Sequence, residues 1–163
     1  MNITRGVFIS FSHLLKNVYL FKNMTESQLD SIGDISISKS YEAGDDVFLQ
    51  SDSASAIYII SHGSIRIHQK NTTDENIEIV ILGVGSHFGE MAFLDKEVRS
   101  ASATAMEPTD LVEISYEALL EVLKKDLAIS TTFYKEISHF LVNRLRVTTL
   151  DLSYARERNL SHF

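Results

Sequence analysis

The sequence predicts a mainly β fold flanked by helices, with short strands wound into a compact barrel or jelly roll between helical segments. Three observations predict it. From about residue 40 to 114, apolar residues alternate or run in short stretches broken by glycine and polar turn clusters, the pattern of many short strands. Before and after that stretch the apolar spacing changes to three and four residues, the helical period. The chain has 163 residues, 44% hydrophobic and 23% charged, an ordinary globular composition and the length of one domain. A chain of this size buries roughly 70% of its unfolded surface and needs no covalent staples.

The elements follow in order. The opening "GVFISFSHLL" is apolar but too short to span a bilayer. It lacks the basic flank and small-residue cleavage site of a secretory signal, so a cytoplasmic protein without membrane contact is expected. Residues 1–37 read as helical, with Leu14, Leu15 and Val18 at helical spacing. Thr25 is placed to cap a second helix, with Gln28 closing the box and Leu29 and Ile32 as the apolar face. Residues 38–114 hold the strands. "AIYIISHGSIRIHQ" reads as two strands around Gly63, with Ile65 and Ile67 facing one way and Arg66 and His68 the other. "NTTDEN" is a polar loop, "IEIVIL" a further strand, and "EPTD", with the only proline, a turn into "LVEI". His62, His68 and His87 read as solvated positions. Residues 115–163 are helical again. Ser115 caps "YEALLEVLKK", and a long helix runs from about Leu127 to about Arg158. It carries two apolar stripes: Ile137, Leu141, Leu145, Thr148 and Leu152, and Phe133, Phe140, Val147 and Tyr154. A helix packed only on its own domain needs one stripe. Two predict either a homodimer through this helix or a helix wedged between barrel and N-terminal helices.

Composition excludes several functions. With no cysteine there are no disulfides, thiolate metal sites or cysteine nucleophiles. A net charge of −7 argues against DNA binding by this chain, which needs a basic face. The six histidines form no His-x-His cluster with a carboxylate, and no nucleophile–base pair is visible. We therefore expect no enzyme, no catalytic residue, no metal site and no prosthetic group.

The chemistry concentrates in "GVGSHFGEMAFLDKEVRSASATA", residues 83–105. One turn of helix fits "GEMAFL", and with Gly89 at its start nothing shields the first amides, which favour an anion. Arg99 presents a planar fork that matches phosphate oxygens, and Ser100 adds a hydroxyl. Glu90 would be repelled by a phosphate and needs hydroxyl donors. A phosphorylated sugar satisfies both. The competing reading is an exposed Glu90–Arg99 pair on a barrel rim, worth under about 1 kcal/mol.

"FGEMAFL" followed by "VRSASA" resembles the phosphate-binding cassette of cyclic nucleotide-binding domains, the family of the bacterial catabolite activator and the regulatory subunits of cyclic-AMP-dependent kinase. "LKNVYLFKNMTESQLDSI" resembles the family's N-terminal helical bundle, "YEAGDDVFLQSDSASAIYIISHGSIRI" its first strands, and "DLVEISYEALLEVL" the strand and helix after the cassette. The resemblance implies an eight-stranded jelly-roll-like β-roll with an N-terminal helical bundle, a cassette at 83–103 and a long C-terminal helix. It implies that Glu90 bonds the ribose 2′-hydroxyl and Arg99 the cyclic phosphate. Gly89, Ala92 and Ser100 line the phosphate, and Phe88, Met91 and Ala101 complete the set. "RLRVTT" resembles the activator's "RLQVTS", which implies that Thr148 and Thr149 contact the base, one from each subunit; the competing reading is an ordinary dimer seam. Ser100 directly after the arginine matches the cyclic AMP activator, so cyclic AMP is the implied ligand and cyclic GMP the alternative. Two positions depart from the pattern: Ser51 stands where the family often has glycine, and Ser86 where aspartate is common. No recognition helix fits "DLSYARERNLSHF", so no DNA-binding domain is expected. The implied function is a sensor or regulatory domain that signals through its C-terminal helix and dimer interface to a downstream effector. The alternatives are a dimerisation adaptor that has lost its ligand, or a regulatory domain cut from a larger transcription regulator, kinase or channel.

Overall fold

In the computed structural model, residues 11–160 are described. The start of "GVFISFSHLL" and the last three residues lie outside them. Two helices come first, α1 (Ser12–Leu15) and α2 (Glu26–Gly33). The strands are β1 (Ser36–Tyr41), β2 (Asp46–Phe48), β3 (Ala56–His62), β4 (Ile65–Lys70), β5 (Asn76–Leu82), β6 (His87–Phe88), β7 (Ser102–Ala105) and β8 (Thr109–Ser115). A short helix α3 (Met91–Asp95) separates β6 from β7, and α4 (Tyr116–Lys125) and α5 (Leu127–Leu160) close the chain. The strands form two antiparallel four-stranded sheets, β1-β8-β3-β6 and β2-β7-β4-β5. This is the mainly β roll with flanking helices that the sequence predicts.

Residue type explains where each layer sits. β3 is buried over five successive residues, Ala56 to Ile60, so both of its faces are covered. Ile57 and Ile59 join Val112 and Ile114 of β8 under the helices, against Leu29 and Ile32 of α2, Leu119 of α4, and Phe133 and Ile137 of α5. Ala56, Tyr58 and Ile60 point the other way, into the space between the sheets, with Ile65, Phe88, Ala103 and Leu111. One strand thus anchors two cores. Both caps form: Gln28 N donates to the Thr25 hydroxyl at 3.3 Å while Thr25 N donates to Gln28 Oε1 at 2.9 Å, and Ala118 N donates to the Ser115 hydroxyl at 3.1 Å. β6 belongs to one sheet and β7 to the other. The cassette between them therefore bridges the mouth of the roll.

Three expectations are corrected. His87 is not a solvated loop residue: it lies in β6 opposite Ile59 and is 5% exposed. His68 is also buried, because its Nε2 lies 2.9 Å from the Thr104 hydroxyl, which itself donates to Asp46 at 2.6 Å. His62 is exposed, as expected. The two stripes of α5 are not separate faces for separate partners. Ile129, Phe133 and Ile137 are at most 1% exposed and Leu141 packs on the same core. Leu145, Val147, Leu152 and Tyr154 are 50% exposed or more. Both stripes start in the domain core and end in solvent, so along 129–141 the wedged-helix reading holds. Among the described residues no helix is long and apolar enough to cross a membrane.

Candidate functional site

Left-handed backbone shapes the cassette at Gly85, Gly89 and Lys96, and the neighbouring turn at Ser51. Gly89 has φ +85°, and a Cβ there would stand 2.7 Å from Arg99 Nη1 and 3.1 Å from the Ala56 carbonyl oxygen. Conformation and space both require glycine. Ser51 has φ +73° without being glycine. Its turn clamps the cassette: Ser51 N donates to the Arg99 carbonyl at 2.8 Å, and Arg99 N donates to the Asp52 carbonyl at 2.9 Å.

Arg99 is 4% exposed, and its guanidinium is held by backbone and a tyrosine rather than by a carboxylate. Nη1 donates to the Gly89 carbonyl and the Tyr116 hydroxyl, each at 3.1 Å, and Nη2 donates to the Ala56 carbonyl at 2.8 Å. The guanidinium carbon sits 4.0 Å over the Phe48 ring, a cation–π contact. Nε is buried without a partner. Glu90 is 7% exposed and caps α3 by its backbone, yet its side chain makes no capping bond and Oε2 has no partner. Burial pushes its carboxyl above the ordinary range, against the pull of its own backbone and of the Arg144 and Arg99 charges. The exposed rim pair is thereby excluded, since both groups are buried and neither bonds the other.

These groups face one cleft of about 560 Å³, its open mouth included. Phe88, Gly89, Glu90, Met91, Ala92, Arg99, Ser100 and Ala101 all line it, so the structure brings these eight sequence-predicted residues together. Ser100 leaves its hydroxyl only a 3.8 Å contact to the Met91 sulfur. Thr148 lines an adjoining groove with Ile79, Val80 and Val147; Thr149 lines neither space. Both threonine hydroxyls donate to carbonyls one turn back, to Arg144 at 3.0 Å and Leu145 at 2.8 Å.

Sequence reasoning missed residues that complete the cleft. Phe140 and Arg144 descend from α5 and line both the cleft and the groove. The Phe140 ring lies 4.4 Å from the His87 ring and 5.9 Å from Tyr19. Phe140 thus forms one wall of the cleft. Burial first and the Arg144 charge second lower the His87 pKa to about 4, leaving a neutral imidazole with an unpartnered Nε2. Arg144 precedes Thr148 by one helical turn, which is the signal that could have found it. Ala56 and Tyr116 hold Arg99 from distant strand and helix positions, and no local pattern marks them. Among the described residues no cluster of acids and histidines suits a metal ion.

Comparison with known proteins agrees with this geometry. The family model described as cyclic nucleotide-binding domain matches residues 38–126, more than half of the chain. The cyclic AMP receptor protein of Thermus thermophilus is 28% identical over 148 residues, 89% of this chain and 67% of that protein. The cGMP-dependent protein kinase egl-4 of Caenorhabditis briggsae is 30% identical over 122 residues, 70% of this chain and 16% of the kinase. The solved Thermus thermophilus catabolite activator protein superposes with a TM-score of 0.74 at 28% identity, over 83% of this chain and 62% of that one. The chain thus corresponds to a part of each of these proteins. A family match of this extent, on a roll that carries the cassette at its mouth, establishes that the chain belongs to the cyclic nucleotide-binding domain family, whose role is regulatory binding rather than catalysis.

Proposed function

We propose that this chain is a cyclic nucleotide sensor that takes cyclic AMP in preference to cyclic GMP. In this reading Arg99 receives the cyclic phosphate and Glu90 the ribose 2′-hydroxyl. Gly89, Ala92 and Ser100 line the phosphate, with Phe88, Met91 and Ala101 around them. The base extends towards α5, where Thr148 meets it from one copy and Thr149 from a second. The bound state passes through α5, along which two copies pair, to a downstream effector. Ser100 after the arginine, and the name of the Thermus receptor protein, support cyclic AMP.

One observation carries the reading: two buried charges of opposite sign share one cleft and are left without each other. Burying an ionised group unpaired is costly, and a chain shaped for stability alone would pair them. A ligand with one anionic phosphate and a vicinal hydroxyl satisfies both at once.

Titration calorimetry tests it. Cyclic AMP is expected to bind with Kd around micromolar, near −8 kcal/mol. Arg99→Ala should cost roughly 2–5 kcal/mol of binding, at least about thirtyfold, because the phosphate loses its charged partner. Glu90→Ala should cost less, roughly 1.5–3 kcal/mol, as a bond to a neutral hydroxyl. Arg99 also ties β3, the cassette and α4 together, so Arg99→Ala lowers the melting temperature as well and is titrated well below it. No heat with millimolar cyclic AMP or cyclic GMP, or wild-type affinity in Arg99→Ala, would sink the reading. A tenfold preference for cyclic GMP would overturn the choice of base.

A further inference from the structure

The Arg99 guanidinium carries five N–H groups, and their partners can be counted. Nη1 is turned into the protein, donating to the Gly89 carbonyl and the Tyr116 hydroxyl, two oxygens that are themselves hydrogen-bonded. One hydrogen of Nη2 goes to the Ala56 carbonyl. Nε–H has no partner within the protein, and Nη2 keeps one N–H beyond the bond to Ala56. These two adjacent nitrogens form a fork of the kind that grips two oxygens of one phosphate.

The Tyr116 hydroxyl is central to that partition. It accepts from Arg99 Nη1 at 3.1 Å and donates to the Gly89 carbonyl at 2.5 Å, and that carbonyl also accepts from Nη1 at 3.1 Å. Three groups therefore close a ring of hydrogen bonds, which fixes the guanidinium relative to the cassette backbone. Tyr116 is not in the ligand cleft. It lines a separate hollow behind α3, with Ala92, Phe93, Leu94, Leu120 and Tyr134, so a ligand in the cleft does not touch it. Its ring is wedged edge-on against Phe93, with centroids 5.3 Å apart, which holds the hydroxyl in place.

We propose that Tyr116 is a positioning residue for phosphate recognition: its hydroxyl, together with the Gly89 carbonyl, holds Arg99 Nη1 from behind and so turns the Nε/Nη2 edge to the ligand. Without the hydroxyl, Nη1 is held only by the Gly89 carbonyl, and the guanidinium is freer to turn Nη1 towards the cleft. The inference rests on the cyclic nucleotide reading and adds to it a group outside the binding cleft.

The test is a double-mutant cycle on the full chain, read by calorimetry with cyclic AMP and accompanied by melting curves. Tyr116→Phe keeps the ring and its packing and removes only the hydroxyl. It is expected to weaken cyclic AMP binding about tenfold in the wild-type background. In the Arg99→Ala background the same change should matter by less than about twofold, because nothing is left to position. A merely structural tyrosine would cost the same in both backgrounds. A second readout uses the two phosphorothioate diastereomers of cyclic AMP, in which sulfur replaces one or the other exocyclic oxygen. Wild type, with one edge fixed, should separate them, and Tyr116→Phe should narrow the separation. Wild-type affinity in Tyr116→Phe, equal losses in both backgrounds, or unchanged diastereomer separation overturns the inference while leaving cyclic AMP binding in place. Absence of binding by the wild type removes the functional reading and this inference with it.

Discussion

The two halves of α5 have similar apolar content and opposite fates. The first half is committed to its own domain. Phe133 is fully buried, stacked on Phe21 at 6.1 Å and edge-on to Phe93 of the cassette helix at 5.7 Å. Glu136, 3% exposed, accepts from the Asn23 side chain at 2.6 Å and faces Lys22 at 4.0 Å. The second half leaves the roll after Phe140 and Arg144 have closed the cleft, and Leu145, Val147, Leu150, Leu152 and Tyr154 stand in solvent. The difference lies in what each half meets rather than in residue type. A helix advances 1.5 Å per residue, so one of 34 residues outruns the domain that packs its first turns. The same helix thereby links a rigid core contact, one wall of the candidate cleft and an exposed apolar surface.

The largest test of this contrast is Phe133→Ala. It empties a core site shared by the N-terminal segment, the cassette helix and α5, and should cost about 3–5 kcal/mol in denaturant unfolding. A loss below about 1 kcal/mol would mean that the first half is not the anchor described above.

The next test concerns the joint between the halves, where His87 lies under Phe140. Burial, with Arg144 adding to it, holds the folded-state pKa of His87 at about 4, below the ordinary 6.5. The folded state binds this proton less well than the unfolded chain does. The associated stability is therefore complete above about pH 6.5 and declines as pH falls towards 4, on the order of 3 kcal/mol across the window. Glu90 has the opposite sign. Its raised carboxyl pKa favours the folded state below the unfolded value, and that gain is lost as pH rises through the folded one. His87→Asn isolates the first effect: between pH 6.5 and 4 it should lose less stability than wild type, as read from urea midpoints at several pH values. Parallel pH profiles for the two proteins would show that α5 does not seal His87 from water.

The smallest expected effect on the fold is in the second half. Leu145→Glu should leave monomer stability within about 0.5 kcal/mol, since the residue is 67% exposed. The same change should abolish dimers in light scattering by placing a charge on the proposed helix–helix surface. Phe140→Glu, in contrast, should damage the proposed ligand cleft. A wild-type monomer at high protein concentration, with and without cyclic AMP, would remove the partner assigned to the second half.

What the sequence alone determined about this protein is whatever depends on short spacing. The alternation of Ile65 and Ile67, the caps at Thr25 and Ser115, and the run "FGEMAFL" with Arg99 following are local signals, each legible within a few residues, and the two caps are satisfied there as well. The resemblance to the cassette is legible at this level too, because it rests on one contiguous run of residues, "FGEMAFL" followed by "VRSASA". Only the tertiary structure decided the rest. His87 reads as a polar loop residue until β3 pairs with it and Phe140 covers it. Phe140 and Val147 share one heptad stripe, yet one closes a cleft and the other faces solvent, because the roll ends between them. Tyr116 opens a helix, and nothing in "SYEALL" indicates that its hydroxyl reaches Arg99 and Gly89. Burial and hydrogen-bond partners belong to pairs of residues, and these pairs lie far apart along the chain: Ala56 with Arg99, Gly89 with Tyr116, Asn23 with Glu136. A single sequence records each member, while the fold decides which of them meet.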